Sequence, residues 1–270
     1  MKRKLLVLAI TSTLFGCGGG GDDTTQESGN GSSDGGDVTY TYRAIDGYLG
    51  SAEVYADRNS NMKADSDEYI GLTGESGDIQ IKKAESEYDI IVRVIAGQTT
   101  DSDIGTTVNY SKELISDRGQ RTITPFSTLA KLQGLTMQEM ADVLNLNYDD
   151  ISGDYVANDA SLAHAIARSL QLQLQADLVD NIDDIDGIQA RANQITDYLK
   201  NVPEDELTQI VIEIDSDGNL VESTTDKVHG KQFDIDNLAL VWEQKDFSSL
   251  NYDQGSSPQG FHPCYTQKWG

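Results

Sequence analysis

The sequence predicts an α+β fold: an amino-terminal antiparallel β-sheet or sandwich module, then a helical module, then a late β-hairpin. Three observations lead there. Between Val38 and about Thr122, short runs of β-branched and aromatic residues are separated by Gly- and Asp-rich turns. Past Thr124-Pro125 the apolar spacing changes to threes and fours. From Gln209 onward, two β-forming runs flank Asp215-Ser216-Asp217-Gly218, whose Asp-Gly pair marks a hairpin turn.

Taken in order, Val38 to Tyr42 alternates β-formers, Ile45-Asp46-Gly47-Tyr48 reads as a turn, and Ala52-Glu53-Val54-Tyr55 as a strand. Gly74 to Gly77 punctuates before Ile79-Gln80-Ile81, and Tyr88 to Ile95 alternates strongly enough for a central strand. Pro125 and the hydroxyls around it suit a helix start, with Phe126, Leu129, Ala130 and Leu132 on one face. Thr136 to Leu144 is a second helix, with Thr136 as N-cap and Glu139 three residues on, the capping-box pattern. Asn158 to Val179 reads as one longer helix, with Leu162, Ile166, Leu170, Leu174 and Leu178 at intervals of four. Ile188, Ala192, Ile195 and Leu199 carry the stripe into another helix. These stripes are core-packing patterns. The turn Asp215–Gly218 is favoured over a calcium site at the same residues.

Ahead of this body, Lys2, Arg3 and Lys4 precede an apolar stretch from Leu5 to Phe15. That stretch is shorter than the roughly 20 residues a bilayer span needs, and it has the layout of a secretory signal. Leu14-Phe15-Gly16-Cys17 resembles the lipobox of bacterial lipoproteins, with Phe15 bulkier than usual. The resemblance implies cleavage before Cys17, acylation of Cys17 and, with Gly18 following, residence at the outer membrane. The alternative is a secreted protein in which Cys17 is incidental. Residues 18–37 hold Gly, Ser, Asp and Thr without an apolar side chain, a flexible tether with a root-mean-square span of about 25 Å. The organisation expected is therefore leader 1–16, lipidated Cys17 and tether 17–37, β-rich module 38–122, helical module 123–207, hairpin and closing segment 208–253, and irregular tail 254–270.

Charge excludes some partners. Lys plus Arg number 20 against 45 Asp plus Glu, a net charge of -25. Such a surface repels phosphates, so neither nucleic acid nor anionic lipid headgroups are expected partners, and it suits a milieu rich in divalent cations. Hydrophobic residues reach 37%, with Ile, Leu and Val regularly spaced, which separates the body from a disordered acidic tail. With Cys17 acylated, Cys264 is a lone thiol, read as buried or tolerated rather than catalytic.

One constellation carries chemistry. Asp57-Arg58-Asn59-Ser60-Asn61-Met62-Lys63-Ala64-Asp65-Ser66-Asp67-Glu68 places side-chain oxygens of Asp57, Asn59, Asn61, Asp65 and Glu68 at positions 1, 3, 5, 9 and 12 of a twelve-residue loop. Lys63 offers its carbonyl at position 7. This is EF-hand-type calcium spacing, because alternate residues of a tight loop point inward and a final carboxylate closes the shell. Met62 stands where Gly is expected, at a cost of roughly 1 kcal/mol, and the loop follows a strand rather than a helix. Affinity in the range of extracellular modules, about 10⁻⁴ to 10⁻³ M, is expected. A solvated Asx-rich hairpin is the other reading of these residues. Calcium is the only candidate cofactor. Of the histidines His164, His229 and His262, His164 begins His-Ala-Ile-Ala-Arg, without the second histidine of a zinc-peptidase helix, and reads as a surface or boundary residue. No nucleophile elbow, phosphate loop or dinucleotide fingerprint occurs, and no active site is expected. The acidic pairs Asp149-Asp150 and Asp183-Asp184 read as helix-end solvation.

The lipobox, the tether, Ala44-Ile45-Asp46-Gly47-Tyr48-Leu49 leading into Val54-Tyr55-Ala56-Asp57-Arg58-Asn59-Ser60-Asn61, and Ile123-Thr124-Pro125-Phe126-Ser127-Thr128-Leu129 together resemble the amino-terminal region of the accessory colonization factor AcfD family. The resemblance covers roughly residues 1–240. It implies a surface lipoprotein serving intestinal colonisation. Long members carry a far downstream zinc metallopeptidase domain acting on mucin glycoproteins, for which this sequence holds no zinc motif, so no catalytic residue carries over. Two functions are expected: a non-enzymatic outer-membrane lipoprotein that aids colonisation, or the anchor and spacer portion of a mucin peptidase. Host mucin or another envelope protein would be the partner beyond the membrane itself. Residues 254–270 hold no acid and two of the four prolines. That shift implies a shortened form whose reading frame leaves the family sequence near its end.

Overall fold

The computed structural model describes residues 38–225. Cys17, the tether, His229, His262, Cys264 and the segments expected from 226 onward lie outside the described residues. Within them the strands are β1 (Thr39–Ala44), β2 (Leu49–Gly50), β3 (Glu53–Asp57), β4 (Tyr69–Leu72), β5 (Asp78–Lys82), β6 (Asp89–Val94), β7 (Thr100–Asp101), β8 (Thr106–Thr107), β9 (Lys112–Ser116), β10 (Thr122–Ile123), β11 (Ile210–Ile214) and β12 (Leu220–Thr224). The helices are α1 (Pro125–Gln133), α2 (Met137–Leu144), α3 (Tyr148–Ser152), α4 (Ser161–Gln171) and α5 (Ile185–Leu199). The α+β class is as the sequence predicts.

The largest sheet has the order β4-β3-β6-β9 and is antiparallel throughout. β6 lies inside it, as its alternation predicts. Successive side chains of a strand point to opposite faces. Ile90, Val92 and Val94 accordingly enter the main core, while Ile91 enters a smaller cluster with Tyr55, Ala64, Ile115 and Leu178. A second sheet, β10-β1-β5, contains a parallel pair, with Arg43 opposite Thr122 and Ala44 opposite Ile123. The sequence predicts antiparallel pairing only. A parallel pair needs a long crossover, and residues 45–121 supply it, so no local pattern announces this pairing. The third sheet, β2-β7-β8, is built from two-residue strands.

β9 is an edge of the largest sheet, and its outer backbone is sealed by the start of α1. Thr128 Oγ1 accepts from Ile115 N at 3.0 Å, and Ser127 Oγ donates to Ile115 O at 2.8 Å. Thr124 caps α1, with Ser127 returning the bond as a capping box. The Thr-Pro-Phe-Ser-Thr run thus starts a helix and covers an open sheet edge at once. Phe126 and Leu129 are fully buried behind it. α2 begins as predicted, with Thr136 and Glu139 in a reciprocal capping box, and Asn145 ends it in the left-handed conformation.

The single helix predicted from Asn158 to Val179 needs correction. α4 stops at Gln171, and residues 178–184 form a separate 3-10 segment. The cause is again β9. Lys112 Nζ donates to the carbonyl of Gln171, and Glu113 N donates to Ala176 O at 2.9 Å. Leu174 and Leu178 are still buried, so the four-residue apolar spacing survives although the backbone leaves the helix to satisfy the strand.

The late hairpin forms as predicted, with Ile210 opposite Thr224 and Ile214 opposite Leu220. Asp215 Oδ1 accepts from the backbone N–H groups of Asp217 and Asn219, which closes the turn. Ile212 N donates to Ser169 Oγ at 2.9 Å, which docks the hairpin on α4. One continuous core runs from Tyr42 through the helices to Ile212. Among the described residues no helix is long and apolar enough to cross a membrane.

Truncating Phe126 to Ala should therefore cost about 3–5 kcal/mol, whereas Thr136→Ala, which removes one capping partner, should cost about 1 kcal/mol. Urea unfolding followed by circular dichroism checks both. Equal losses at the two positions would contradict this account of the core.

Candidate functional site

The predicted calcium loop leaves β3 at Asp57 and ends in a 3-10 turn, Ser66–Glu68, that leads into β4. Its two end carboxylates are buried: Asp57 is 1% and Glu68 2% exposed. Asp57 Oδ1 accepts from Asn61 N at 3.0 Å, and Oδ2 from Met62 N at 2.9 Å. Asn59 Oδ1 accepts from Asn61 N at 3.0 Å, and Asn61 Oδ1 from Lys63 N at 2.8 Å. Asp65 Oδ2 accepts from the side-chain amides of Asn59, at 3.0 Å, and Asn61, at 2.9 Å. Those bonds, that of Asn61 foremost, hold the Asp65 carboxyl below the usual range. Glu68 Oε1 accepts from Arg58 N at 2.7 Å and Asn59 N at 3.1 Å, while its Oε2 is buried without a partner. The Lys63 carbonyl accepts from Asp65 N at 3.0 Å.

Every predicted loop residue is therefore tied into one ring of bonds. Asn59, Asn61 and Asp65 touch directly through their side chains. Asp57 and Glu68 reach the ring through backbone N–H groups. Among the described residues no three His, Cys, Asp or Glu side chains form a group able to hold a metal ion by themselves. The loop's oxygens are of mixed origin: carboxylate, amide and carbonyl.

Met62, the departure from the expected glycine, takes φ 55°, the left-handed turn that position requires. An L-residue there is strained by roughly 1 kcal/mol. Its side chain packs against the small cluster of Tyr55, Ala64, Ile91, Ile115 and Leu178, and that burial offsets the strain. The far half of the loop is held to the sheet by Arg93, which donates to Ala64 O at 3.0 Å and to Glu113 Oε1 at 2.9 Å.

A second polar cluster lies between the sheets and α4, and the sequence does not announce it. The turn Ile45–Tyr48 forms as predicted, but Asp46 points inward, 1% exposed, with neither carboxyl oxygen bonded. Beside it stand Asp101 of β7 and Asp103 just beyond. Asp101 Oδ1 accepts from Asp103 N at 2.9 Å. Gly47 allows this approach, because a Cβ there would lie 2.2 Å from Asp101 Oδ1. From α4, His164 Nε2 lies 2.9 Å and Arg168 Nε 3.6 Å from Asp103 Oδ2. Arg168 also donates to the carbonyls of Leu207 and Thr208, each at 2.6 Å. Tyr110 and Lys112 face the cluster from the β9 side, and Tyr155 donates to Ile45 O at 2.7 Å. His164, predicted as a boundary residue, is partly buried, with its ring against that of Tyr155.

Burial, then the charges of Asp101 and Asp103, pushes the Asp46 carboxyl well above the usual range. Burial, then Asp103, pushes Asp101 up to about 7, against Arg168. Burial lowers Lys112 to about 8 in spite of Asp46. Near neutral pH this cluster holds protons that exposed carboxyls would have released. The parts lie far apart in the chain, and the one local signal is Asp46-Gly47, a polar turn inside an apolar run. No family model matches the sequence, and no curated protein or solved structure shows significant similarity to it.

Because Asp46 and Asp101 bind protons more tightly folded than unfolded, their contribution is full near pH 4 and is lost as the pH rises through about 7 for Asp101. Between pH 5 and 7, below the titration of Lys112, unfolding free energy should fall by roughly 2 kcal/mol through Asp101. Asp101→Asn should flatten that fall in urea titrations, and an unchanged pH dependence would refute the assignment.

Proposed function

We propose that this chain is a non-enzymatic lipoprotein of the outer membrane, held by acyl groups on Cys17, whose acidic body serves colonisation of a host surface. Leu14-Phe15-Gly16-Cys17, after a basic and apolar leader, is the observation that carries the reading. Two or three acyl chains anchor far more firmly than the single chain that gives only marginal binding. The role in colonisation rests on the resemblance to the AcfD family, and host mucin or a second envelope protein is the partner this reading implies. The acid-free segment 254–270 favours a second reading, in which the whole chain is the anchor and spacer portion of a mucin-directed zinc metallopeptidase.

Cells expressing the chain should incorporate labelled palmitate into it, and Cys17→Ser should abolish the label and release the protein from the membrane fraction. Label retained by the Cys17→Ser variant would overturn the anchor. Matched strains with the 270-residue chain and with an intact downstream frame separate the two readings. Binding of mucin without cleavage by the former supports the first, and activity confined to the latter supports the second.

A further inference from the structure

We infer that the loop Asp57–Glu68 is a calcium site that clasps the open end of the β3–β4 hairpin. The inference is independent of the lipid anchor and of any role in colonisation. Its starting point is the Glu68 carboxylate, which is 2% exposed and has one oxygen without a partner. The other oxygen takes the N–H groups of Arg58 and Asn59, so the carboxylate head is held against the first turn of the loop with Oε2 buried beside it. A buried carboxylate oxygen without a donor is costly, and a cation is the partner that also answers the surrounding charge.

That charge is answered only in part, by Lys63 within the loop and Arg93 beside it, both of which act on Asp65. Asp57, Asp65 and Glu68 contribute three carboxylates along the loop, which do not by themselves converge into a metal-holding group and need the amide and carbonyl oxygens between them. The nearest guanidinium groups are committed elsewhere: Arg58 to Glu85 at 2.8 Å, and Arg93 to Glu113 at 2.9 Å. Lys63 is exposed and supplies its carbonyl. The donors are all oxygens: Asp57, Asn59, Asn61, the Lys63 carbonyl, Asp65 and Glu68. A set of six such donors on a loop suits Ca²⁺, whereas Mg²⁺ demands a tighter octahedron and gives up its water reluctantly.

The hydrogen bonds within the loop are those of an ion-free ring. The amide nitrogens of Asn59 and Asn61 bridge to Asp65, the part a cation would otherwise play, while each Oδ1 accepts one backbone N–H, from Asn61 and from Lys63, and keeps a second lone pair that a change of side-chain torsion would bring to a cation. The backbone needs no comparable change, since Met62 already holds the left-handed turn. With only three charged ligands, the site falls in the weak, extracellular class, with a dissociation constant of about 10⁻⁴ to 10⁻³ M.

The test uses the full chain carrying Cys17→Ser, stripped with EDTA and titrated with CaCl₂ and separately with MgCl₂. Calorimetry should show one saturable calcium site in that range, and thermal melting should rise by a few degrees at about 10 mM Ca²⁺ but not at the same concentration of Mg²⁺. Asp65→Asn, at a half-buried carboxyl that bonds the Asn59 and Asn61 amides outside the core, and Glu68→Gln, which keeps an acceptor for the two N–H groups, should each weaken binding about tenfold or more. Their melting temperatures in EDTA should stay close to that of the parent. Absence of a saturable site, equal shifts with both ions, or unchanged affinity in both variants would overturn the assignment and leave only diffuse attraction to an acidic surface.

Discussion

The outer edge of β9 is the constraint on which most of the described fold depends. A buried N–H or carbonyl left without a partner costs about 1–3 kcal/mol, and β9 presents several in a row. Ser127 and Thr128 answer the backbone of Ile115 and Ala176 answers that of Glu113, while the side-chain ammonium of Lys112 reaches the carbonyl of Gln171. These bonds set where α1 starts and where α4 stops. α1 in turn carries Phe126, whose ring meets Tyr155 edge-on at 6.1 Å, and Tyr155 bonds back to Ile45 in the turn after β1. The sheets and helices are thus registered on one another by polar contacts within an apolar core, and the chain 45–121 is closed by β10 lying parallel to β1.

The buried Asp46 and Asp101 need a different account, since burial raises both carboxyls and their ionisation opposes folding as the pH rises. Apolar residues of the same volume would pack there without the desolvation cost. The acids give the joint between the sheets and α4 a specific chemistry instead. His164 and Arg168, one turn apart, meet Asp103, and Arg168 reaches on to the carbonyls that precede β11. One guanidinium therefore ties the β-module, α4 and the hairpin together. Any register shift of α4 would leave it unpaired in the interior, a heavier penalty than any apolar misfit.

Local signals are legible in the sequence, and non-local ones are not. Thr136 with Glu139, Asp217-Gly218 at the hairpin and the alternation of β6 each depend on residues within a few positions, and each element forms where expected. The end of α4 escapes such a reading because its cause, Lys112, lies on a strand far upstream. The acidic cluster escapes it for the same reason: Asp46, Asp101 and His164 share no window. The loop Asp57–Glu68 falls between these cases. Its oxygen spacing is legible, but Met62 reads as a defect, since its packing partners Ile91, Ile115 and Leu178 become neighbours only once the sheet has formed.

Met62 also explains how a loop at the end of a hairpin can matter to the sheet beneath it. A glycine at that position would give the same turn without strain, but it would carry no side chain. With methionine, the loop and the lower face of β3, β6 and β9 share a cluster, and Arg93 adds a polar tie from Ala64 to Glu113 on β9. Ordering the loop therefore orders the packing under it, and loosening the sheet loosens the loop. An ion that favours the ordered loop stabilises the folded state through that linkage, by an amount set by its concentration relative to its dissociation constant. For a weak site this term is small in dilute buffer and grows only where divalent cations are plentiful. Calcium would then tune the stiffness of the β-module to the divalent-cation content of the medium, through the packing that Met62 shares with the sheet.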